Sequence, residues 1–412
     1  MNDLTPMRRQ YLQFKNEYPD CILLFRLGDF YETFDDDAET VARELDITLT
    51  SRPVSKNQRI PMAGVPHHSV ETYIARLIEK GFHVAVCDQI SEPDGRGLVE
   101  REVTRVITPG TIIEPNLLRD EKPNYLMAIL PVGNLEAGQW NAAGVAYCDI
   151  TTGEFAATEL SGENTALLVL EELARLTPRE VLLPQSWAER GVTFPREMSV
   201  TVVPDWKFEF KSAEAALTAH FRVRTLDGYG LNGMTAGIGA AGAILLYVQQ
   251  TQRGRLAQLS TLRAYSTASF MVLDQFTRRN LELTETLYTR DVKGSLLGVL
   301  DRTVTAMGAR LLRAWITQPL LDLQRLNARL DAVEALTQNE PLRAEIREAL
   351  KGVIDLERLT NRLLIGRVSP RDLIALRASL DKVPMLRALL EPLPPLAALL
   401  ERLDPCDDAR NL

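Results

Sequence analysis

"LFRLGDFYETFDDDAET", residues 24–40, joins an apolar run to a Phe-Tyr-Glu triplet and a triple aspartate. Upstream, Cys21 to Leu27 is almost continuously apolar, which predicts a buried strand. Downstream, Asp36 to Leu45 predicts a helix, and the aspartates suit the positive end of its dipole. Residues 30–34, taken as extended, point Phe30 and Glu32 to one side and Tyr31 to the other. Pattern alone predicts Phe30 and Tyr31 in a core with Glu32 solvated. The competing reading is an aromatic wedge that partly unstacks a nucleic-acid base step, at a cost that falls where pairing is already defective. A neighbouring carboxylate would be repelled by phosphates unless a base N–H donates to it. An aromatic beside an acid therefore suits an inspector of bases better than a general DNA binder.

Working outward, Thr5-Pro6 predicts a helix start, with the helix running to about Asn16. "DITLT" reads as a short strand, and Ser69 to Gly81 as an amphipathic helix with Tyr73, Ile74 and Leu77 on one stripe. "FHVAVCDQ" and "VTRVIT" complete a mixed sheet, giving an α/β domain over residues 1–108. "TPGTIIEPNLLRDEKPNY" holds three prolines without periodicity and reads as a linker, residues 109–124. A second α/β domain is expected over 125–258. It opens with a strand and a hairpin turning at Gly153, followed by a helix near Glu163–Leu176, strands at "EVLLP" and "VTVVP", and a helix over Ala236–Gln252.

From residue 259 the chain is expected to become all-helical. Leu323, Leu326, Leu330, Val333 and Leu336 recur at helical spacing, with breaks at Pro341, Pro370 and Pro384. Apolar stripes need partners, and little chain follows them before "DPCDDARNL"; this reads as the N-terminal portion of a longer protein.

A length of 412 residues suggests two to four domains, and 45% apolar with 25% charged residues is a soluble globular composition. The N-terminus has no signal-peptide pattern, and the most apolar window, Met234 to Val248, is too short to span a membrane. Cys21, Cys87, Cys148 and Cys406 lack CxxC spacing and read as buried free thiols in a reducing cytoplasm. A formal net charge of −8 is not the footprint of binding by counterion release. One basic stretch stands apart: Arg52, Lys56 and Arg59, with no acid before Glu71, which pattern alone makes a solvated loop.

No Gly-Lys dipeptide occurs, so there is no Walker A loop, and no GxSxG or HExxH motif is present. His67-His68 lack metal-ligand partners, and His83 reads as a satisfied core histidine. Asp149, at the end of a strand before a hairpin, is where a ribonuclease H-like fold places its first metal-binding carboxylate. Glu154 and Glu159 follow, but two-metal phosphodiester chemistry needs further converging acids. The alternative for Asp149 is a surface carboxylate closing a turn.

"GDFYETF", "IPMAGVPHHSVETYIARLIEKG", "VAVCDQ" and "EREVTRVITPGT" together resemble the mismatch-binding domain of the bacterial MutS family. "DQFTRRNLELTETL" and "GSLLGVLDRTVTAMGARLLRAWITQPL" are similar to the opening of its helical core. The resemblance implies a mixed α/β mismatch-binding domain, a ribonuclease H-like α/β connector and an incomplete all-α lever region. It also implies that Phe30 stacks on a mispaired base while Glu32 hydrogen-bonds to it, with Arg52, Met62 and Gly64 as neighbours of the DNA backbone. The implied ligand is double-stranded DNA carrying mismatches or small loops, met in the cytoplasm. A homodimer, a MutL-type partner and ATP with Mg belong to the full-length family protein. The clamp and P-loop ATPase of the family do not occur in these residues, so this chain is expected to bind rather than catalyse, without cofactor or metal. The competing functions are a metal-dependent nuclease of ribonuclease H type and a pure protein-interaction scaffold.

Overall fold

Thr5 accepts the amide of Arg8 and Pro6 occupies the first turn of α1 (Pro6–Glu17), so the first helix starts where a cap and a preset φ coincide. The computed structural model describes residues 5–55, 58–90, 99–134, 139–189, 198–253 and 256–410. β1 (Cys21–Leu27) and β2 (Phe30–Phe34) form a hairpin closed by Gly28 and Asp29, with Gly28 at φ +60°. A positive φ at the first of two loop residues matches the strand twist, and glycine adopts it without penalty. α2 (Asp35–Leu45), β3 (Thr50–Ser55), β4 (Gln58–Pro66), α3 (Val70–Glu79), β5 (His83–Gln89) and β6 (Arg101–Ile107) follow. The sheet order is β3-β4-β2-β1-β5-β6, with β1 and β5 parallel and the other pairs antiparallel.

The two faces are covered differently. α2 and α3 pack Val41, Leu45, Ile74 and Leu77 onto Ile22, Leu24, Tyr31 and Val65. On the other face α1 lays Tyr11 and Phe14 over Phe25, Phe34 and Ile60. Two local expectations are corrected. The strand expected at "DITLT" begins only at Thr50, because Asp46 takes the left-handed conformation as the C-cap of α2. The basic stretch expected as a solvated loop is the β3–β4 hairpin, with Thr50, Ser51, Arg52 and Pro53 paired to Met62, Pro61, Ile60 and Arg59. Lys56 lies outside the described residues.

The stretch read as a linker is packed at its start, for Thr108 to Glu114 are buried. Ile112 joins the core of the first domain and Ile113 that of the second. Between them Glu180, fully buried, accepts from Thr108 Oγ1, Gly110 N (2.8 Å), Thr201 Oγ1 (2.7 Å) and Tyr247 OH (2.6 Å). His83 stands at this junction, Nε2 3.3 Å from Thr201 Oγ1 and 3.7 Å from the Glu180 carboxylate; it is half-buried and bonded, at an interface rather than in a core.

The second domain is built from β7 (Leu126–Asn134), β8 (Gln139–Asp149), β9 (Glu154–Ser161), α4 (Thr165–Leu176), β10 (Glu180–Pro184), α5 (Gln185–Ala188), β11 (Ser199–Val203), α6 (Phe210–Phe221), α7 (Thr235–Thr251) and β12 (Arg263–Ala264). β7, β8 and β9 form an antiparallel meander; β10 adds parallel to β7, β11 parallel to β10, and β12 parallel to β9. α7, rich in Gly and Ala, lies buried on this sheet. A Cβ on Gly144 would sit 1.9 Å from Ala236 O, so β8 must carry glycine where α7 starts.

Beyond it come α8 (Gln275–Asn280), α9 (Leu296–Leu300), α10 (Ala306–Thr317), α11 (Leu323–Gln338), α12 (Glu340–Leu350), α13 (Leu356–Leu364), α14 (Pro370–Leu380) and α15 (Val383–Leu390). Pro341, Pro370 and Pro384 sit in first helical turns, so each break is also a start. No residue of α11 is buried, and Leu323, Leu330 and Val333 of its stripe face solvent. Arg310 on α10 donates to both carboxylate oxygens of Asp355 (2.6 and 2.8 Å), to Glu357 (2.7 Å) and to the Asp120 carbonyl (2.9 Å). Arg358 on α13 donates to the carbonyls of Arg119 (3.2 Å) and Lys122 (2.8 Å), so two arginines hold the linker to the helices. Cys21, Cys87 and Cys148 are buried, whereas Cys406, also expected inside, is exposed. Among the described residues no helix is long and apolar enough to cross a membrane.

Candidate nucleic-acid interface

On the face covered by α1, Phe34, Glu32 and Phe30 follow one another toward the hairpin tip. Phe34 lies edge-on under Tyr11, ring centroids 4.9 Å apart, and is fully buried. The helix reaches no further along β2. Glu32 is therefore half-buried and Phe30 is 47% exposed, whereas Tyr31, pointing to the other face, is 4% exposed. The burial expected for Tyr31 holds; that expected for Phe30, and the full solvation expected for Glu32, do not, because alternation assigns a side and only a covering helix makes that side a core.

The tip is held from several directions. His67 N donates to Asp29 O (2.8 Å), tying the end of β4 to the hairpin turn. Arg26 stacks over the Tyr31 ring at 5.5 Å and donates to Gly28 O (2.7 Å). The Tyr31 hydroxyl donates to Asp88 on β5, which Thr104 on β6 also bonds (2.6 Å). Burial, with the Asp88 carboxylate beside it, pushes Tyr31 up to about 12, so the phenol stays protonated and donating.

Glu32 pairs with Gly64 on the adjacent strand, and a Cβ added at Gly64 would lie 3.5 Å from Glu32 Cγ. From β3, on the far side of β4, Arg52 Nη1 donates to Glu32 Oε2 at 2.6 Å. Burial raises the Glu32 carboxyl above its ordinary value, and the Arg52 guanidinium pulls partly against that. Met62, between Phe34 and Thr50, packs partly buried against the aromatic core under α1. Arg59 is used within the hairpin, donating to Ser51 Oγ (2.8 Å) and Ser51 O (2.6 Å). The sheet thus brings Glu32, Gly64 and Arg52 together on the face that Phe30 and the partly buried Met62 share.

Compared with known proteins, residues 5–116 match the family model "MutS domain I", 124–262 "MutS domain II" and 276–409 "MutS domain III". A DNA mismatch repair protein MutS of Symbiobacterium thermophilum is 49% identical over 386 residues, 92% of this chain and 43% of the relative. One from Halothermothrix orenii is 45% identical over 387 residues, 93% of this chain and 42% of the relative. The chain belongs to the MutS family. It spans less than half the length of these curated relatives.

In this MutS chain the second-domain acids are kept apart. Asp149 is fully buried, not the surface carboxylate expected, and its oxygens accept from Asn124 N (2.9 Å), Thr151 N (2.9 Å) and Thr151 Oγ1 (2.6 Å). Glu154 accepts from Tyr125 (2.9 Å), Tyr147 (3.2 Å) and Arg263 (2.8 Å), and Glu159 caps α7 through Ala236 N (2.8 Å). Each carboxylate already holds a turn, a tyrosine pair or a helix start, and among the described residues no cluster of three ligating side chains forms. These donors do not fit the Mg of the MutS ATPase, and with no Gly-Lys dipeptide the chain has no Walker A cradle for ATP phosphates. His67 and His68 are exposed in a short 3₁₀ turn. Two supports of the MutS hairpin tip escaped the sequence, Arg26 and Asp88. Their only signal was a charge near the end of an apolar strand, β1 for Arg26 and β5 for Asp88.

Proposed function

We propose that this chain recognises mispaired or looped-out bases in duplex DNA, with Phe30 as the wedge and Glu32 as the acceptor for a base N–H. The observation that carries this reading is Phe30 itself: a large aromatic 47% exposed at the rim of the sheet, next to Tyr31, which is buried. A phenylalanine has only two side-chain torsions, so little freedom is lost when the ring enters a base step. Unstacking costs roughly a few kcal/mol, less at a mispair, and a mispaired duplex is easier to bend. Selectivity then comes from the DNA as much as from base contacts. Glu32 adds a test: its half-buried charge is unfavourable near phosphates and is relieved where a base donates to it. Arg52, Met62 and Gly64 would neighbour the DNA backbone.

The reading extends to the rest of the chain. Domain limits of 1–108, 109–124, 125–258 and 259–412 follow from the changes in sequence character; β12 carries the second sheet beyond that third limit, to Ala264. The meander of β7, β8 and β9 with two parallel strands added beside β7 supports a ribonuclease H-like connector. Within a full-length relative, ATP with Mg, a homodimer and a MutL-type partner would complete the repair function in the cytoplasm. The test is competition of the 412-residue chain between a G·T or unpaired-T duplex and its matched counterpart. Phe30→Ala is expected to abolish the preference; a preference retained by that variant would remove the wedge.

A further inference from the structure

Glu32 presents a physical difficulty for a site that approaches DNA. An unpaired carboxylate at the rim would repel phosphates on every duplex, matched or not, and oppose the search for a lesion. The geometry supplies a counter-charge. Arg52 belongs to β3, two strands away from β2, and its backbone pairs with Ile60 rather than with the Gly64 row of Glu32. Its side chain nevertheless spans the intervening strand β4 to reach Glu32 Oε2 at 2.6 Å. The two side chains are 36% and 17% exposed, so a ligand lying over this face can reach the pair. The partnership is also open to exchange. Arg52 holds Glu32 through one nitrogen rather than a bidentate fork, unlike Arg310 on Asp355, which grips both oxygens.

We propose that Arg52 determines specificity at this site by competing with the mispaired base for the Glu32 carboxylate. The inference rests on the mismatch-binding reading above. On matched duplex no base donor reaches Glu32, the ion pair stays closed and the carboxylate is neutralised. At a mispair a base N–H takes the carboxylate and Arg52 is released toward the phosphates. Discrimination is then a property of the pair, not of Glu32 alone. Losing Arg52 exposes the bare carboxylate to phosphates, which weakens matched duplex more than mismatched.

The experiment is a thermodynamic cycle on the 412-residue chain, with Arg52→Met, Glu32→Ala and the double variant titrated against G·T and matched duplexes at one salt concentration. Arg52→Met is expected to widen the mismatched-over-matched ratio about fivefold, the upper end for a partly exposed ion pair. In the Glu32→Ala background the same change should leave the ratio unaltered, lowering both affinities together. Arg52→Lys, which keeps the charge, should hold the wild-type ratio within about twofold; a lysine variant behaving like methionine overturns competition by charge. Equal weakening of both duplexes in both backgrounds makes Arg52 a plain phosphate contact and overturns the proposal. A different result separates the underlying reading: if Glu32→Ala alone leaves the ratio unchanged, or the wild-type chain binds neither duplex, the mismatch assignment itself fails.

Discussion

Glu180 can be replaced by Ala and by Gln, and the junction predicts different costs. The carboxylate accepts from four donors in a fully buried position. In Glu180→Ala two of them find other partners: Thr108 Oγ1 lies 2.8 Å from Thr111 Oγ1, and Thr201 Oγ1 lies 3.3 Å from His83 Nε2. The Gly110 amide and the Tyr247 hydroxyl are left without an acceptor. At about 1–3 kcal/mol for each buried orphan, the cost centres near 4 kcal/mol. Glu180→Gln keeps the shape. Its amide oxygen can still accept from Gly110, and its NH₂ can face hydroxyls that rotate, so about 1–2 kcal/mol is expected from lost charge assistance. A multidomain chain need not unfold in one step, so hydrogen exchange at Gly110 and along β10–β11 is the assay. At about 1.4 kcal/mol per tenfold, Ala should speed exchange roughly a thousandfold and Gln roughly tenfold. Rates for Ala within a few-fold of wild type, or equal rates for the two variants, would refute the reasoning.

Three further outcomes follow. Gly144→Ala places a Cβ 1.9 Å from Ala236 O, which is backbone and cannot step aside, so α7 must shift; a fall in thermal midpoint worth at least about 3 kcal/mol is expected, read by circular dichroism. Gly28→Ala meets no atom within 4 Å but keeps φ +60°, and should cost only about 1–2 kcal/mol on the same measurement. Burial works against the Asp355 carboxylate, but Arg310 outweighs it and the net direction is down from the ordinary value. A depressed carboxyl contributes stability that is present above its unfolded pKa of about 3.9 and is lost as pH falls through its folded value. Arg310→Met should therefore lower the urea midpoint of the helical region at pH 7 and flatten its decline below about pH 4; an unchanged acid limb would count against the pair.

Much of this architecture was legible because local rules agreed with one another. β1, α3, β5 and β10 are apolar runs or stripes bounded by turn residues, and each folds as its pattern dictates. α6 was missed because only Ala213 and Leu217 of it are buried: a Cβ on Gly242 would fall 2.2 Å from Ala213 Cβ, so the two helices meet almost backbone to backbone and no long apolar stripe marks the contact. Prolines marked Thr108–Glu114 as the start of a linker, yet Glu180, which bonds Thr108 and Gly110, and Gln252, which bonds Thr111, come from far along the chain and leave no trace in the segment itself. Phe30 failed as a core residue for a related reason, since its exposure depends on where α1 stops. The site's residue types were visible in the triplet; the contact of Arg52 with Glu32 required the sheet, because it joins strands that are not adjacent.

The buried linker also constrains the order in which the chain can finish folding during its synthesis. Thr108 meets Glu180 across a separation of 72 residues, and Arg119 meets Arg358 across 239. At about 5–20 residues per second, the first partner is made roughly 4–14 s after the linker and the second roughly 12–48 s after it. For that interval the segment can pack only toward the first domain, through Ile112, and that domain can be complete in its own sheet while the far side of its junction stays open to water and to proteases. Synonymous codons that slow translation between residues 120 and 180 would lengthen that exposure without altering a single contact in the finished protein.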